Sequence, residues 1–190
     1  MYTSSLPTLL SDILELARLA PSVHNVQPWH CAWDGNKLQI NVAKERMLRD
    51  GDPTRRELWI SVGAFIETII AAAEALGTSI SYTISETPTI DAPFMSLSLA
   101  AKKASVKPEL TSAITKRCSD RAPYSSQRLS ETELTSLRNV WKSDHVSVHV
   151  LPELSQIATV ADMTGQGIAM ALSLPGFRQE LAELIRPNSS

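Results

Sequence analysis

Hydrophobic and polar positions along the chain follow two different periods, which predicts a mixture of helices and strands. Apolar residues at helical spacing mark segment 7–20, and Pro21 ends it. A two-residue Gly-Asn link joins the alternating segments 29–34 and 37–43, as in a β-hairpin. The beginning of the chain is therefore predicted to fold as a helix followed by a hairpin.

A long apolar helix is predicted next. We place Asp52 at its N-cap and Pro53 in its first turn, and the segment continues to Leu76, where Gly77 ends it. The segment is apolar on nearly every side. This composition is typical of a helix in a protein core or at a subunit interface.

The remainder of the chain predicts further strands and helices in irregular order. The predicted strands are 79–85, 94–100 and 145–151. The predicted helices are 108–114, a helix opened by a capping box at Ser130 and continuing to Trp141, 152–173 and 176–186. The order lacks regular strand–helix–strand alternation, which indicates the α+β class.

Charge and cysteine content exclude several classes of function. The 190 residues carry 18 basic and 20 acidic side chains, a net charge of −2, which argues against a general nucleic-acid binder. Cys31 and Cys118 fit neither a disulfide framework nor a zinc site. No apolar run has the length of a membrane span, and the first residues lack the basic region of a signal peptide. We expect a cytoplasmic protein that binds no membrane and no metal.

Chemistry-bearing residues are densest in segment 20–29, which reads APSVHNVQPW. Its two prolines stiffen the backbone, so that the side chains of Ser22, His24, Asn25 and Gln27 could point at one ligand. Amide side chains suit a flat heterocycle or a polyol, because each carries a donor and an acceptor. The alternative is a helix C-terminal turn in which these side chains cap backbone groups.

Two further segments carry motifs. Segment 52–77 joins Arg-Glu-Leu to Ser-x-Gly-Ala and ends in an alanine-rich stretch before Leu-Gly. Segment 114–121 places Arg117, Ser119 and Arg121 at alternating positions. Two guanidinium groups and a hydroxyl at this spacing can converge on one phosphate.

Together these three motifs resemble those of the nitroreductase family, whose members carry non-covalent flavin mononucleotide (FMN). The resemblance implies a nitroreductase-like fold with a mixed sheet flanked by helices. It implies that Ser22, Asn25 and Gln27 contact the ribityl chain and the ring edge of FMN, while Trp29 packs beneath the loop. His24 would touch the flavin or its phosphate, or would be a capped surface residue, and both alternatives stay open.

The same resemblance assigns the FMN phosphate to Arg117, Ser119 and Arg121. In a standard family member this phosphate motif precedes the flavin loop, whereas here it follows by about ninety residues. That order resembles a double-length branch in which one chain contains two nitroreductase-like halves. Residues 1–105 would be a first half with the flavin loop and central helix, and 106–190 the start of a second half. The fold would then be incomplete or would be completed by dimerisation.

The function that the resemblance implies is transfer of electrons from NAD(P)H through FMN to a nitro, quinone or similar conjugated acceptor. Because the cofactor carries the chemistry, no catalytic residue is assigned. The partners would be a small-molecule acceptor and a second subunit in a homodimer. One alternative is a protein of this fold that binds or sequesters flavin, or has lost it, without turnover. Another is an interaction module that dimerises through helix 53–76. The charged residues Arg55, Arg56 and Glu57 are assigned to a solvated helix face.

Overall fold

The structure is a computed structural model that describes residues 6–103, 105–120, 122–123, 125, 127–140, 146–151 and 153–185. The chain divides into two compact units. One comprises Met1–Cys118 with Gln179–Ser190, and the other comprises Ser119–Arg178. The two predicted nitroreductase-like halves, 1–105 and 106–190, were assigned from sequence motifs. The division into compact units does not test them, and they stay a prediction.

Helices and strands alternate irregularly along the described part of the chain, as the α+β prediction requires. The elements up to residue 118 are α1 Thr8–Ala17, β1 Trp29–Trp33, β2 Leu38–Val42, α2 Arg56–Ala75, β3 Thr78–Ile84, β4 Met95–Lys103 and α3 Pro108–Lys116. The later helices are α4 Glu131–Asn139, α5 Leu154–Ser173 and α6 Pro175–Leu184. Single 3-10 turns lie at Val23–Asn25 and Lys44–Arg46.

The four strands form one sheet in the order β1-β2-β4-β3, and each neighbouring pair is antiparallel. The predicted mixed sheet is therefore wrong for the described strands. The two strands that α2 connects, β2 and β3, do run in the same direction. However, β4 lies between them, so that every hydrogen-bonded pair becomes antiparallel.

One face of the sheet supplies the centre of the hydrophobic core. Leu38 and Ile40 on β2 lie opposite Leu97 and Met95 on β4, and all four side chains are buried. Opposed apolar side chains on one face stabilise a strand pair. They belong to one core cluster with buried residues of α1 and α2, which are Leu10, Ile13, Ala17, Leu58, Val62, Phe65, Ile69, Ala72 and Ala73.

Helix α2 is the central helix of this core. By length and composition alone it could cross a membrane, but half of that stretch is buried inside the protein. A helix in a protein core can have the same length and apolar composition, so these two features are weak evidence for a membrane span. The burial of Phe65 and Ile69 against α1 and the sheet shows that the apolar pattern of α2 serves its own unit.

The start of α2 differs from the sequence prediction. The helix begins at Arg56, not at Pro53, and Arg55 before it has a left-handed φ of 60°. Asp52 nevertheless accepts a hydrogen bond from the backbone N–H of Leu58 at 2.8 Å. Leu58 is the third residue of the helix, whose N–H an N-cap side chain satisfies. The left-handed turn thus lets Asp52 cap the helix from three residues earlier than an ordinary N-cap.

The predicted strand 145–151 is also wrong where the structure describes it. Residues 146–151 contain only an isolated bridge at Val146, and His145 lies outside the described residues. Val146 and Val148 are exposed, so the alternating valines of this segment do not form a buried face. The capping box at Ser130 is confirmed, with Glu133 as its reciprocal partner, although α4 ends at Asn139.

The burial of α2 predicts unequal costs for two identical substitutions. Ile69→Ala removes a side chain with no exposed surface and should lower the free energy of unfolding by about 2–5 kcal/mol, because a cavity remains. Ile60→Ala is the matched control, since Ile60 is 54% exposed on the same helix and should cost less than about 1 kcal/mol. Urea denaturation followed by circular dichroism measures both. Equal losses would contradict the assigned packing of α2.

The two cysteines should react at very different rates. Burial raises the pKa of the Cys31 thiol to about 11, so almost none is thiolate near neutral pH. Cys118 is exposed. We expect a disulfide reagent such as DTNB to modify Cys118 quickly in the native protein and Cys31 only after denaturation. Fast modification that persists in Cys118→Ser would contradict the burial of Cys31.

Candidate functional site

The loop between α1 and β1 has an unusual backbone. His24, Asn25 and Gln27 have φ values of 46°, 58° and 51°, in the left-handed region that residues other than glycine rarely adopt. Asparagine tolerates this region better than most residues, but each such conformation costs free energy. Three within four residues persist only because contacts around the loop hold them, and such clusters are typical of ligand-binding segments.

Two of the predicted ligand-binding side chains make contacts inside the loop. The Ser22 hydroxyl oxygen accepts a hydrogen bond from the backbone N–H of Gln27 at 3.0 Å. The Gln27 side-chain nitrogen donates to the carbonyl of Arg18, at the end of α1, at 2.9 Å. These are the contacts of the capping-turn alternative. They leave the side-chain oxygen of Gln27 as the acceptor that could face a ligand.

The loop is tied to two other parts of the first unit. The backbone N–H of Val23 donates to the Ser61 hydroxyl on α2 at 3.2 Å, and that hydroxyl donates to the carbonyl of Glu57 at 2.7 Å. Arg46 donates from its guanidinium to the carbonyl of Gln27 at 3.1 Å. Ser61 is buried, which makes its contact the main polar link between the loop and the central helix.

Trp29, the residue that follows the loop, is buried, and its predicted position beneath the loop stays a prediction. Its ring stacks on Phe65 of α2, with centroids 4.2 Å apart and planes within 7° of parallel. Within the loop, the side chains of His24 and Asn25 are exposed. The structure therefore presents one imidazole and one amide to solvent from a held backbone. Both alternatives for His24 remain open, because a ligand contact and a surface position each need this exposure.

Arg117 is the predicted phosphate ligand that the structure brings to this loop. Its guanidinium donates to the carbonyl of Leu19 at 3.3 Å, across 98 positions of sequence and next to the first residues of the loop. Arg117 also borders a cavity of about 210 Å³ whose other lining residues are Leu19, Thr68, Ala71, Leu110, Ala113 and Ile114. Ser119 is exposed and begins the second unit, and Arg121 lies outside the described residues. Both stay predictions from the motif.

A second cavity, of about 400 Å³, was not anticipated from the sequence. Three cations line it, Lys44, Arg49 and Arg55, together with Met47, Leu48, Asp52, Pro53 and Ile90. A cavity lined by both cations and apolar side chains favours an anionic ligand with an apolar part. The sequence signal was the crowding of basic residues between positions 44 and 56, but the left-handed turn that directs Arg55 to the cavity leaves no mark in sequence.

The acids near this cavity are already engaged. Asp91 forms an ion pair with Lys44 at 2.5 Å. The hydrogen bond from Lys44, its positive charge and the charge of Arg55 hold the pKa of Asp91 below its usual range. Asp52 faces the N–H of Leu58. Among the residues that the structure describes, no group of three His, Cys, Asp or Glu side chains could hold a metal ion.

Several curated proteins are similar in sequence to this chain. A Mycobacterium tuberculosis protein provisionally named NAD(P)H nitroreductase acg is 25% identical over 163 residues, which cover 81% of this chain and 49% of that protein. Another from the same organism, provisionally named NAD(P)H nitroreductase Rv3131, is 37% identical over 65 residues, 34% of this chain and 19% of the relative. A Serratia protein provisionally named NAD(P)H nitroreductase PigM is 32% identical over 69 residues, 35% of this chain and 19% of the relative.

The matches cover less of the relatives than of this chain. The chain spans about half of the length of acg and a smaller share of the other two proteins. No protein-family model matches the chain. The match to acg nevertheless extends over four-fifths of the chain, and three differently named relatives carry the same family name. The resemblance carried by the sequence motifs is therefore confirmed, and the chain is related to the NAD(P)H nitroreductases.

Proposed function

We propose that this chain is an FMN-dependent oxidoreductase that passes electrons from NAD(P)H to a nitro, quinone or similar conjugated acceptor. The single observation that supports this most directly is the position of Arg117. Its guanidinium donates to the carbonyl of Leu19, directly before the loop that carries His24 and Asn25, although 98 positions separate the two bonded residues in sequence. A cation beside a loop of amide and imidazole groups is the combination that a phosphorylated heterocycle needs.

The residues of the loop fit a flavin in their chemistry. Asn25 offers a donor and an acceptor, and the free side-chain oxygen of Gln27 offers a further acceptor, which suits the alternating polar edge of a flavin ring and its ribityl hydroxyls. The left-handed backbone of the loop is already held by Ser61 and Arg46, so little ordering would accompany binding. We assign the phosphate to Arg117, with Ser119 and Arg121 as the further members of its motif.

Bound FMN would supply the redox chemistry, accepting a hydride from the nicotinamide and passing two electrons to the acceptor. The chain's own residues would bind and orient it. Asn25 and Gln27 would fix the ring edge, and Arg117 would neutralise the phosphate. The stack of Trp29 on Phe65 would fix the end of the loop to the central helix. No side chain is assigned to proton transfer, and no catalytic residue is named.

A second candidate function is flavin binding, or loss of flavin, without turnover. The observation in its favour is that Ser22 and Gln27 make the local hydrogen bonds of a capping turn, which need no ligand and no turnover. On either reading we propose a homodimer as the assembly that would complete the fold, and the cytoplasm as its location.

The decisive experiment is an absorbance spectrum of the purified protein between about 300 and 550 nm, before and after addition of excess FMN and desalting. Retained flavin bands, with oxidation of NADH or NADPH in the presence of a nitroaromatic or a quinone, would support the oxidoreductase. Flavin without turnover would favour the second function. A protein that holds no FMN would contradict both flavin-binding proposals.

The variant arm of that experiment is Arg117→Ala combined with Arg121→Ala. We expect FMN affinity to fall by at least about tenfold, since a charge-assisted contact to phosphate is worth more than about 1.4 kcal/mol. Lys116→Ala is the control, because it removes a neighbouring exposed cation that belongs to no assigned site. Unchanged FMN affinity in the double variant would overturn the phosphate assignment.

The link between the loop and α2 gives a separate prediction. Ser61→Ala should leave the N–H of Val23 without its acceptor, destabilise the protein by about 1–3 kcal/mol and loosen the loop. Thr68→Ala is the matched control. The Thr68 hydroxyl donates to the backbone carbonyl of Ala64 in the same helix, and this hydrogen bond does not involve the loop. Thermal unfolding and FMN titration measure the two effects. If the two variants behaved alike, Ser61 would not be the anchor of the loop.

A further inference from the structure

The cavity of about 400 Å³ in the first unit has more cations than acids around it. Lys44, Arg49 and Arg55 line it, and among its acids Asp52 is a lining residue as well. All of the lining residues lie between positions 44 and 90, so the cavity is formed by one compact unit. They do not include the loop 20–29. The volume falls within the range of about 300–1,000 Å³ that is usual for small-molecule sites.

Two of the three cations have no carboxylate partner in the described part of the chain. Lys44 forms an ion pair with Asp91 at 2.5 Å. The hydrogen bond from Lys44 and its charge, followed by the charge of Arg55, hold the pKa of Asp91 below its usual range, so Arg55 lies close to this pair. The ion pairs between described residues include neither Arg49 nor Arg55. Two guanidinium groups are therefore available to a bound anion.

The balance of charge favours a ligand that carries one negative charge. The three cations face the carboxylates of Asp52 and Asp91, which leaves one positive charge uncompensated. A carboxylic acid carries a single negative charge at neutral pH, whereas a phosphate monoester carries about −1.5 to −2. A planar carboxylate also matches the fork of a guanidinium, which can donate two parallel hydrogen bonds to it. The cavity is thus better matched to a monocarboxylate than to a phosphate.

The uncharged lining residues indicate the nature of the rest of the ligand. Met47, Leu48, Pro53 and Ile90 supply apolar surface to the cavity. A methionine side chain is flexible and adapts to ligands of different shape. An aromatic or aliphatic body packed against these four side chains would remove apolar surface from water, which is favourable. The cavity therefore fits a carboxylate that is attached to a small apolar body.

The backbone segments that carry the two unpaired arginines are held in place. Glu180, which belongs to the same unit, accepts hydrogen bonds from the backbone N–H groups of Arg49 and Gly51, both at 2.7 Å. A Cβ atom at position 51 would lie 3.0 Å from a Glu180 oxygen, so glycine leaves room for that carboxylate. The backbone N–H of Arg55 donates to the carbonyl of Asp52 at 3.0 Å. Ligand binding would therefore need to order only the arginine side chains.

We propose that this cavity is a binding site for a small monocarboxylate with an apolar body. Arg49 and Arg55 bind the carboxylate, and the apolar lining residues contact the body. The site is separate from the loop assigned to flavin, although Arg46 of the neighbouring segment donates to the carbonyl of Gln27 in that loop. The proposal does not depend on flavin, because the affinity for a carboxylate can be measured with and without FMN.

The test compares three probes that share one apolar body and differ in charge. They are 2-naphthoate, the neutral 2-naphthylmethanol and 2-naphthyl phosphate. Isothermal titration calorimetry in a low-salt buffer free of phosphate and carboxylates measures each affinity, since salt screens charge interactions. We expect 2-naphthoate to bind with a Kd below about 1 mM. The alcohol should bind at least about tenfold more weakly, because it forms no charge-assisted hydrogen bond as an anion. The phosphate should bind no more tightly than the carboxylate.

Two adjacent arginines provide a variant and its matched control. Arg55→Gln removes a guanidinium that lines the cavity, whereas Arg56→Gln removes a neighbouring exposed one that does not. We expect the Kd for 2-naphthoate to rise at least about tenfold in Arg55→Gln and less than about twofold in Arg56→Gln. Arg49→Gln should show the same loss as Arg55→Gln without any change at the left-handed turn. Circular dichroism and thermal unfolding check that each variant is folded.

The charge balance has its own variant. Asp91→Asn removes the carboxylate that pairs with Lys44 and so raises the net charge of the cavity by one. We expect the affinity for 2-naphthyl phosphate to rise more than that for 2-naphthoate, because a dianion gains more from an added positive charge. An unchanged ratio of the two dissociation constants would contradict the choice of a monocarboxylate.

Three further results would overturn the proposal. The first is no binding of 2-naphthoate at about 10 mM, and the second is equal affinity for the neutral alcohol. The third is an equal loss in Arg55→Gln and Arg56→Gln. Titration of the FMN-loaded protein separates this site from the proposed flavin site, since competition between FMN and 2-naphthoate would assign the cavity to flavin. Binding of 2-naphthoate by a protein that holds no FMN would support this site while contradicting the flavin proposals.

Discussion

The stack of Trp29 on Phe65 is the contact on which the first unit depends. It joins the first residue of β1 to the middle of α2, at the point in the chain where the loop that follows α1 ends. Because β1 begins there, the stack fixes where the loop must end. The aromatic pair thus connects the hydrophobic core to the candidate site, and its geometry limits how far the loop can move.

The loop itself combines two roles that the sequence left as alternatives. Ser22 and Gln27 hold the backbone by local hydrogen bonds, as a capping turn would, while His24 and Asn25 remain exposed for a ligand. A strained backbone must be held by hydrogen bonds from some of its side chains before its other side chains can be presented to a ligand. The capping contacts are therefore compatible with a binding loop.

The two long helices are similar in length and composition but differ in burial. Both α2 and α5 have 20 residues and few charges. Helix α2 contacts the sheet and α1, so its apolar residues are internal to the unit. Helix α5, in the second unit, has no buried residue. Hydrophobic periodicity predicts that a helix is covered, but not by which molecule.

The sequence by itself determined the local elements: the Gly-Asn hairpin, the capping box at Ser130 and the family resemblance of its motifs. These depend on neighbouring residues, whose preferences act over a few positions. Tertiary structure alone decided that β4 lies between β2 and β3, that the turn at Arg55 delays α2, and that Arg117 reaches Leu19. The sheet order and the Arg117 contact depend on residues distant in sequence, whose contact free energies no local pattern encodes. The turn at Arg55 is held by the nearby Asp52, but its left-handed conformation is one that the identity of Arg55 does not predict.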